Sequence, residues 1–315
     1  MVAPQFTYPL ITSGVATNPF MYTPETTFAV RKTASPIFTA VPIAGDVAIR
    51  KDGVPINVTV AGQHSIYRAQ LAGKNYTISF PIHPLSTAFL KYGSEVPNYN
   101  TPAGNINESI QFLWKYKQAM GTAQLHNAWL FFLGCRATSL TLTQTPQSLL
   151  EASMEFLVRE IEVPVLDTDP LTSPTYANFT DFSGPVFQDS DGGNLPLSIG
   201  GTSYPTDNFT ATIAQGTFAK PYNGSGLADT ILPGQYLVTG TLDIPIGQDI
   251  SQETAFAAAN QTPVTLKYTF KTGVMVLTVN NTILTADSNS ILATPTEPLK
   301  HSYSFQGTVG VIGTS

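Results

Sequence analysis

The chain reads as an all-β protein made of two tandem, barrel-like sets of strands with one or two short helices. Three observations predict this. Apolar and polar residues alternate with period two along most of the chain. The 24 Gly and 24 Pro are spread without period, which marks many turns and excludes collagen. The length of 315 residues suits two domains.

The alternating segments carry the first prediction. Tyr76 to Phe80 alternates, and Ala137 to Thr143 places Leu140 and Leu142 on one face. Ala152 to Val158 sets Met154, Phe156 and Val158 against Ser153, Glu155 and Leu157. In the second half, Val238 to Ile244, Val264 to Phe270 and Ser302 to Gln306 behave alike. Two segments suggest helices. Residues 106–120 bring Ile110, Leu113, Trp114 and Lys117 to one side, with Asn107 as cap, Glu108 in the first turn and Gly121 as stop. Ser251 to Asn260 is a shorter, Ala-rich candidate capped by Ser251.

Residues 163–175 are rich in Pro, Asp, Thr and Ser, a linker composition. They divide the chain into 1–165, which carries the 106–120 helix, and 166–315. The two parts echo each other. YTISFPIHPLSTAF (76–89) resembles GTLDIPIGQDISQETAF (240–256), and SLLEASMEFLV (148–158) resembles EPLKHSYSFQGTV (297–309).

Charged residues are only 11% of the chain, against about 25% in ordinary soluble proteins. Such a surface suits a protein that ends up covered by copies of itself, and it suits an ordinary extracellular β-protein equally well. Residues 1–165 hold 11 basic and 9 acidic residues (net +2), and residues 166–315 hold 4 and 12 (net -8). Neither part is basic enough to grip nucleic acid by its phosphates. Cys135 is the only cysteine, so no intrachain disulfide forms, and its apolar strand marks a buried thiol. The N-terminus shows no signal peptide, and no run approaches the ~18 apolar residues of a membrane span.

No catalytic or metal-binding constellation is expected, and no cofactor. His64, His83, His126 and His301 are scattered, and no HExxH, P-loop, dinucleotide or Gly-x-Ser-x-Gly motif occurs. Asp189-Ser190-Asp191-Gly192-Gly193-Asn194 has Gly200 where a calcium loop needs a bidentate Glu.

The stretch WLFFLGCRATSLTLTQTPQSLLEASMEFLV (129–158) resembles the bacteriophage tail tube proteins. An aromatic strand leads to Gly134, Cys135 and Arg136, then to the strand Ser139 to Leu142, a turn, and the alternating strand Glu151 to Val158. Segments 177–187, 233–244 and 300–309 are similar to the longer, duplicated members. The resemblance implies a β-sandwich or split barrel and no enzyme. It implies a structural virion subunit, assembled in the host cytoplasm, that closes edge to edge into rings. The rings would stack into a conduit for genome delivery, with other tail proteins as further partners and no membrane. A duplicated chain implies a trimeric ring of pseudo-sixfold symmetry, and an unduplicated one a hexamer. An adhesin-like virion module and a carbohydrate-active β-sandwich are the alternative readings.

In a closed ring the polar set of the strands would line the bore. That set is Thr77, Ser79, Thr141, Glu155, Thr241, Asp243, Thr269 and Ser304. Ile78, Phe80, Leu140, Leu142, Met154, Phe156, Leu242, Tyr268 and Phe305 would be the core partners. Such a wall lets DNA slide without specific binding, because it offers phosphates few cations. Lys267, on the same face as Thr269, conflicts with it. Lys51-Asp52-Gly53 signals a hairpin turn. Arg50, Lys51 and Asp52 there, with Asp189 and Asp191 in an acidic loop, are expected to make contacts between rings.

Overall fold

The computed structural model describes residues 20–58, 68–82, 84, 87–94, 109–120, 124–145, 148–177, 195–220, 230–232, 234–245, 262–271, 275–290 and 300–313. The first strands are β1 (Phe20–Pro24), β2 (Ile37–Ala40), β3 (Ala48–Val58) and β4 (Arg68–Ile82), followed by α1 (Thr87–Ser94). Next come β5 (Ile110–Met120), β6 (Gln124–Gln144), β7 (Glu151–Val158), β8 (Glu160–Ile161), β9 (Val165–Leu166) and β10 (Thr175–Ala177). The second half holds β11 (Leu197–Ile199), β12 (Thr202–Tyr204), β13 (Asn208–Ala214), β14 (Phe218–Lys220), β15 (Thr230–Leu232) and β16 (Leu237–Pro245). It closes with β17 (Val264–Lys271), β18 (Met275–Ser290), β19 (Lys300–Gly307) and β20 (Val309–Gly313). The chain is nearly all-β, as its alternation predicts.

One continuous layer runs β3–β4–β7–β6–β13–β16–β19–β18, every neighbour antiparallel. It crosses from the first half to the second at β6–β13. Two outer sheets cover one face of it. The first is β10–β2–β1–β5–β6, with β8 and β9 on the far side of β6. The second is β12–β11–β17–β18–β20. The long strands β6 and β18 each belong to the layer and to an outer sheet.

Because side chains alternate, the register aligns whole rows across the layer. Phe80, Met154, Leu140, Ile213, Val238 and Gly307 form one row and are all buried. The nine core partners expected from the sequence are all buried. Aromatic rings fill the space beneath. Phe20 stacks on Phe112 at 4.9 Å, Phe112 meets Phe156 edge-on at 5.0 Å, and Phe209 stacks on Tyr268 at 3.9 Å. Such pairs add about 1 kcal/mol each beyond the area that they bury.

The expected helix at 106–120 is wrong: Ile110–Met120 is strand β5. Both faces of β5 are covered. Ile110 and Phe112 enter the main core, while Leu113 packs with Met21, Phe38, Phe131 and Leu133 in a smaller cluster on the other side. A strand apolar on both faces loses its period-two signature and can mimic helical spacing. The helix α1, not anticipated, buries Phe89 and Leu90. The candidate at Ser251–Asn260 lies outside the described residues.

The Pro- and Asp-rich segment 163–175 does not hang free as linker composition suggests. Leu166 pairs with Ala128, Thr172 bridges to Ala34, and β10 pairs with β2. Leu171 is buried in the smaller cluster, and Arg31 ties the cover down through Glu162 at 2.9 Å.

The pairing pattern occurs twice. The elbow of β6 is Gly134 (φ 64) and that of β18 is Asn281 (φ 50). Just beyond each elbow a buried side chain bonds a carbonyl three residues back: Cys135 to Phe132 at 3.4 Å, Thr282 to Val279 at 3.0 Å. A one-residue bulge follows each, at Thr138 before Ser139↔Glu155 and at Thr285 before Ala286↔Ser304. The register steps from Asp52↔Asn75 to Ile56↔Gln70 in β3–β4, and from Ala214↔Leu237 to Phe218↔Leu232 in the second half, each with one extra residue on the returning strand. The echo of 148–158 with 297–309 agrees with this match, since Phe156 stands opposite Ala137 as Phe305 stands opposite Leu284, each just before its bulge, but the echo of 76–89 with 240–256 is offset from it. It aligns Pro81 with Pro245, whereas the pairing puts Pro81 and Asp243 in equivalent places, opposite Ser153 and Ser302. A slip of two residues keeps every side chain on its face, so alternation cannot detect it.

Candidate assembly surface

The uncovered face of the continuous layer carries rows of hydroxyls. Ser153, Thr141, Thr212, Thr239 and Gln306 form one row, and Glu151, Thr143, Thr210, Thr241 and Ser304 the next. Thr141 and Thr212 share a hydrogen bond at 3.1 Å, a cross-strand pair that ties the two halves together. Asp243 accepts from Ser302 Oγ at 2.6 Å and from Asn208 Nδ2 at 2.8 Å, which holds its carboxylate against the wall. A shallow groove of about 220 Å³ on this face is lined by Pro81, Thr141, Thr143, Glu151 and Ser153, with Ala44 at its rim.

Seven of the eight residues expected on a bore share this face: Thr77, Ser79, Thr141, Glu155, Thr241, Asp243 and Ser304. Thr269 does not join them. It lies on β17, in the second outer sheet, whose opposite face sends Leu266, Tyr268 and Phe270 into the core. Lys267 is exposed on the same side as Thr269, so the cation that conflicted with a smooth wall lies in another sheet. Sequence reasoning missed the β13 residues Thr210 and Thr212. The alternation of Phe209, Ala211 and Ile213 against them was a readable signal.

The layer has two open edges among the described residues. β3 pairs only with β4, and residues 283–290 of β18 pair only with β19. The expected turn at Lys51-Asp52-Gly53 is wrong, because β3 runs straight through it, opposite Tyr76, Asn75 and Lys74. Apolar runs on both sides of a Lys-Asp-Gly triplet suit a long strand as well as a hairpin. Arg50 and Lys51 therefore sit at the edge of the layer, both exposed, and Lys51 Nζ lies 5.6 Å from the centre of the Tyr76 ring. Beyond them, β3 and β4 continue as a two-stranded ribbon that pairs with nothing else described. Asp189 and Asp191 lie outside the described residues.

The elbow of β6 is held by a buried carboxylate. Glu25 accepts from the Gly134 amide at 2.7 Å, from Ser109 Oγ at 2.6 Å and from the Ala29 amide at 2.9 Å. Burial lifts its pKa above the ordinary value, opposed by these donors and by Arg136. Arg136 crosses to the second half and donates to the Ile231 carbonyl. The buried Cys135 thiol is pushed well up in pKa by desolvation, which keeps it unreactive.

Among the described residues, no three or more His, Cys, Asp or Glu gather as a metal site, and no helix is long and apolar enough to cross a membrane. What the geometry displays is a β-layered protein with a polar wall and, among the described residues, two open layer edges. The chain belongs to the phage tail tube protein family, whose family model matches residues 16–307. This is a family of structural proteins, which makes the chain a component of a phage virion tail. A search of curated proteins gives no match.

Proposed function

We propose that the chain self-assembles into rings that stack into the tail tube and form the conduit for genome delivery. The observation that carries this reading is the β6–β13 junction. There the last strand of one four-strand unit, β3–β4–β7–β6, pairs with the first strand of the next, β13–β16–β19–β18. The chain's own outer edges, β18 and β3, are the last and first strands of the same two units. Pairing β18 of one copy with β3 of the next repeats the junction and leaves no edge open once the ring closes.

Two units per chain suit three chains in a pseudo-sixfold ring, with the first unit extending through β10. The outer sheets need the larger circumference, so the hydroxyl face turns inward. Its carboxylates Glu151, Glu155 and Asp243 outnumber the cations that the register gives the same face, Arg50 and Lys300, which lets DNA pass without being held. We assign ring stacking, and contact with other tail proteins, to the β3–β4 ribbon beyond Asp52. It reaches roughly 20 Å at ~3.3 Å per residue, and the acidic residues Asp189 and Asp191 are candidates for its opposite surface. Assembly in the host cytoplasm follows from this role.

Negative-stain electron microscopy of the purified chain over a range of concentrations tests the reading, with mass measurement of any rings. Hollow tubes or rings of three chains are expected. Six chains per ring would refute the two-unit count, and solid fibres without a bore would refute the conduit.

A further inference from the structure

In one row of the layer an apolar pair at the middle gives way to opposite charges at the two ends, and the difference points to how copies recognise each other. At the internal junction Ile213 stands opposite Leu140, both fully buried. The repeat of the pairing identifies their counterparts at the open edges. Leu140 lies opposite Met154, two positions past Thr138. Asp287 lies opposite Tyr303, two positions past Thr285. Ile213 lies opposite Val238, one position before Ala214↔Leu237. Lys51 lies opposite Tyr76, one position before Asp52↔Asn75. An apolar pair inside the chain thus corresponds to a lysine on one edge and an aspartate on the other.

We propose that Lys51 of one copy pairs with Asp287 of the next, and that this ion pair sets the register and the polarity of the junction between chains. The proposal rests on the ring reading and adds to it the partner residues. The register that brings Ile213 to Leu140 brings Lys51 to Asp287, Arg50 to Ser288 and Asp52 to Ala286. Charges on the covered face of an edge strand guard it against indiscriminate pairing. β3 meeting β3 would gather lysines on that face, and β18 meeting β18 would gather aspartates. Only β3 against β18 neutralises both. A slip of one residue would send Lys51 to the opposite face and leave Asp287 without a partner. The apolar pair suits a junction that never opens, whereas the charged one suits chains that must stay soluble alone before they join.

The test mixes full-length Lys51→Cys chains with full-length Asp287→Cys chains under assembly conditions and oxidises them. Directly opposed residues of antiparallel strands bring their Cβ atoms within about 5.5 Å, close enough for a disulfide after a small shift. Disulfide-linked dimers are expected from the mixture and none from either variant alone, with the buried Cys135 silent. A second arm reverses the charges. Lys51→Glu or Asp287→Lys should each raise the concentration for half-assembly by about tenfold or more, and the double reversal should bring it back to within about threefold. Rings that form without the mixed cross-link, or single reversals without effect, overturn this pairing and leave the ring reading standing. Absence of both rings and cross-links from every sample overturns the two together.

Discussion

The two elbows of the molecule do the same job with different chemistry. At Gly134 the strand turns inside a crowded site. A Cβ would lie 2.9 Å from the Cβ atoms of Ala29 and Arg159, and the amide is taken by the buried Glu25. At Asn281 the strand turns in the open, with the side chain exposed and its amide donating to Thr308 Oγ1 at 3.1 Å. The reason lies in what covers each outer sheet. The first is wrapped by residues 25–36 and 162–175, which bury the Phe38, Leu113 and Phe131 cluster. The second shows Lys267 and Val311 to solvent. Equivalent pairing therefore leaves the outer surface free to diverge, and the elbow residue follows the cover.

The largest effect is expected where the units exchange a side chain for space. Gly240 lies opposite Phe305 as Ile78 lies opposite Phe156. A Cβ at 240 would collide with the Thr210 carbonyl and the Phe305 ring. Gly240→Val should therefore cost more than ~3 kcal/mol or abolish folding, as overpacking against backbone has little room to relax. Ile78→Ala should cost about 3 kcal/mol as a cavity. Urea unfolding of both variants checks this, and a tolerated Gly240→Val would break the equivalence.

At the elbows, Gly134→Ala should destabilise by about 2 kcal/mol or more through positive φ and contact. Asn281→Gly should stay within about 1 kcal/mol of the parent, because the site is open and already left-handed. Thermal denaturation of the pair measures the contrast.

Glu25 sharpens the same contrast, since the described residues place no carboxylate at the second elbow. Glu25→Ala should cost about 2 kcal/mol by stranding three donors. Its folded pKa is raised above the unfolded one. Its contribution to stability is therefore full below the ordinary carboxylate pKa and is lost as pH rises through the raised value. The stability difference between parent and Glu25→Gln should fall over that interval, and a difference constant with pH would contradict the burial argument.

The smallest effect concerns Tyr268, whose buried hydroxyl has no hydrogen-bond partner. Tyr268→Phe should be neutral or stabilising by about 1 kcal/mol, while the ring keeps its stack on Phe209. Differential scanning calorimetry resolves a change of that size.

Alternation alone made the strands legible, and with them the buried set from Ile78 to Phe305 and most of the hydroxyl wall. It failed where burial is two-sided, at Ile110–Met120, and at Thr269, whose alternation is correct but whose strand belongs to another sheet. It misread Lys51-Asp52-Gly53 as a turn because nothing local distinguishes a long strand through charged residues from a hairpin.

By itself the sequence determined which face of each strand is apolar and that the chain resembles a tail tube subunit, because both follow from residue type and short spacing. Only the tertiary structure decided which strands are neighbours, that β6 meets β13, and that Lys51 and Asp287 hold equivalent places on opposite edges. Register is a long-range property. A strand shifted by two residues, or moved to another sheet, keeps the same alternation, and only its partners reveal where it lies.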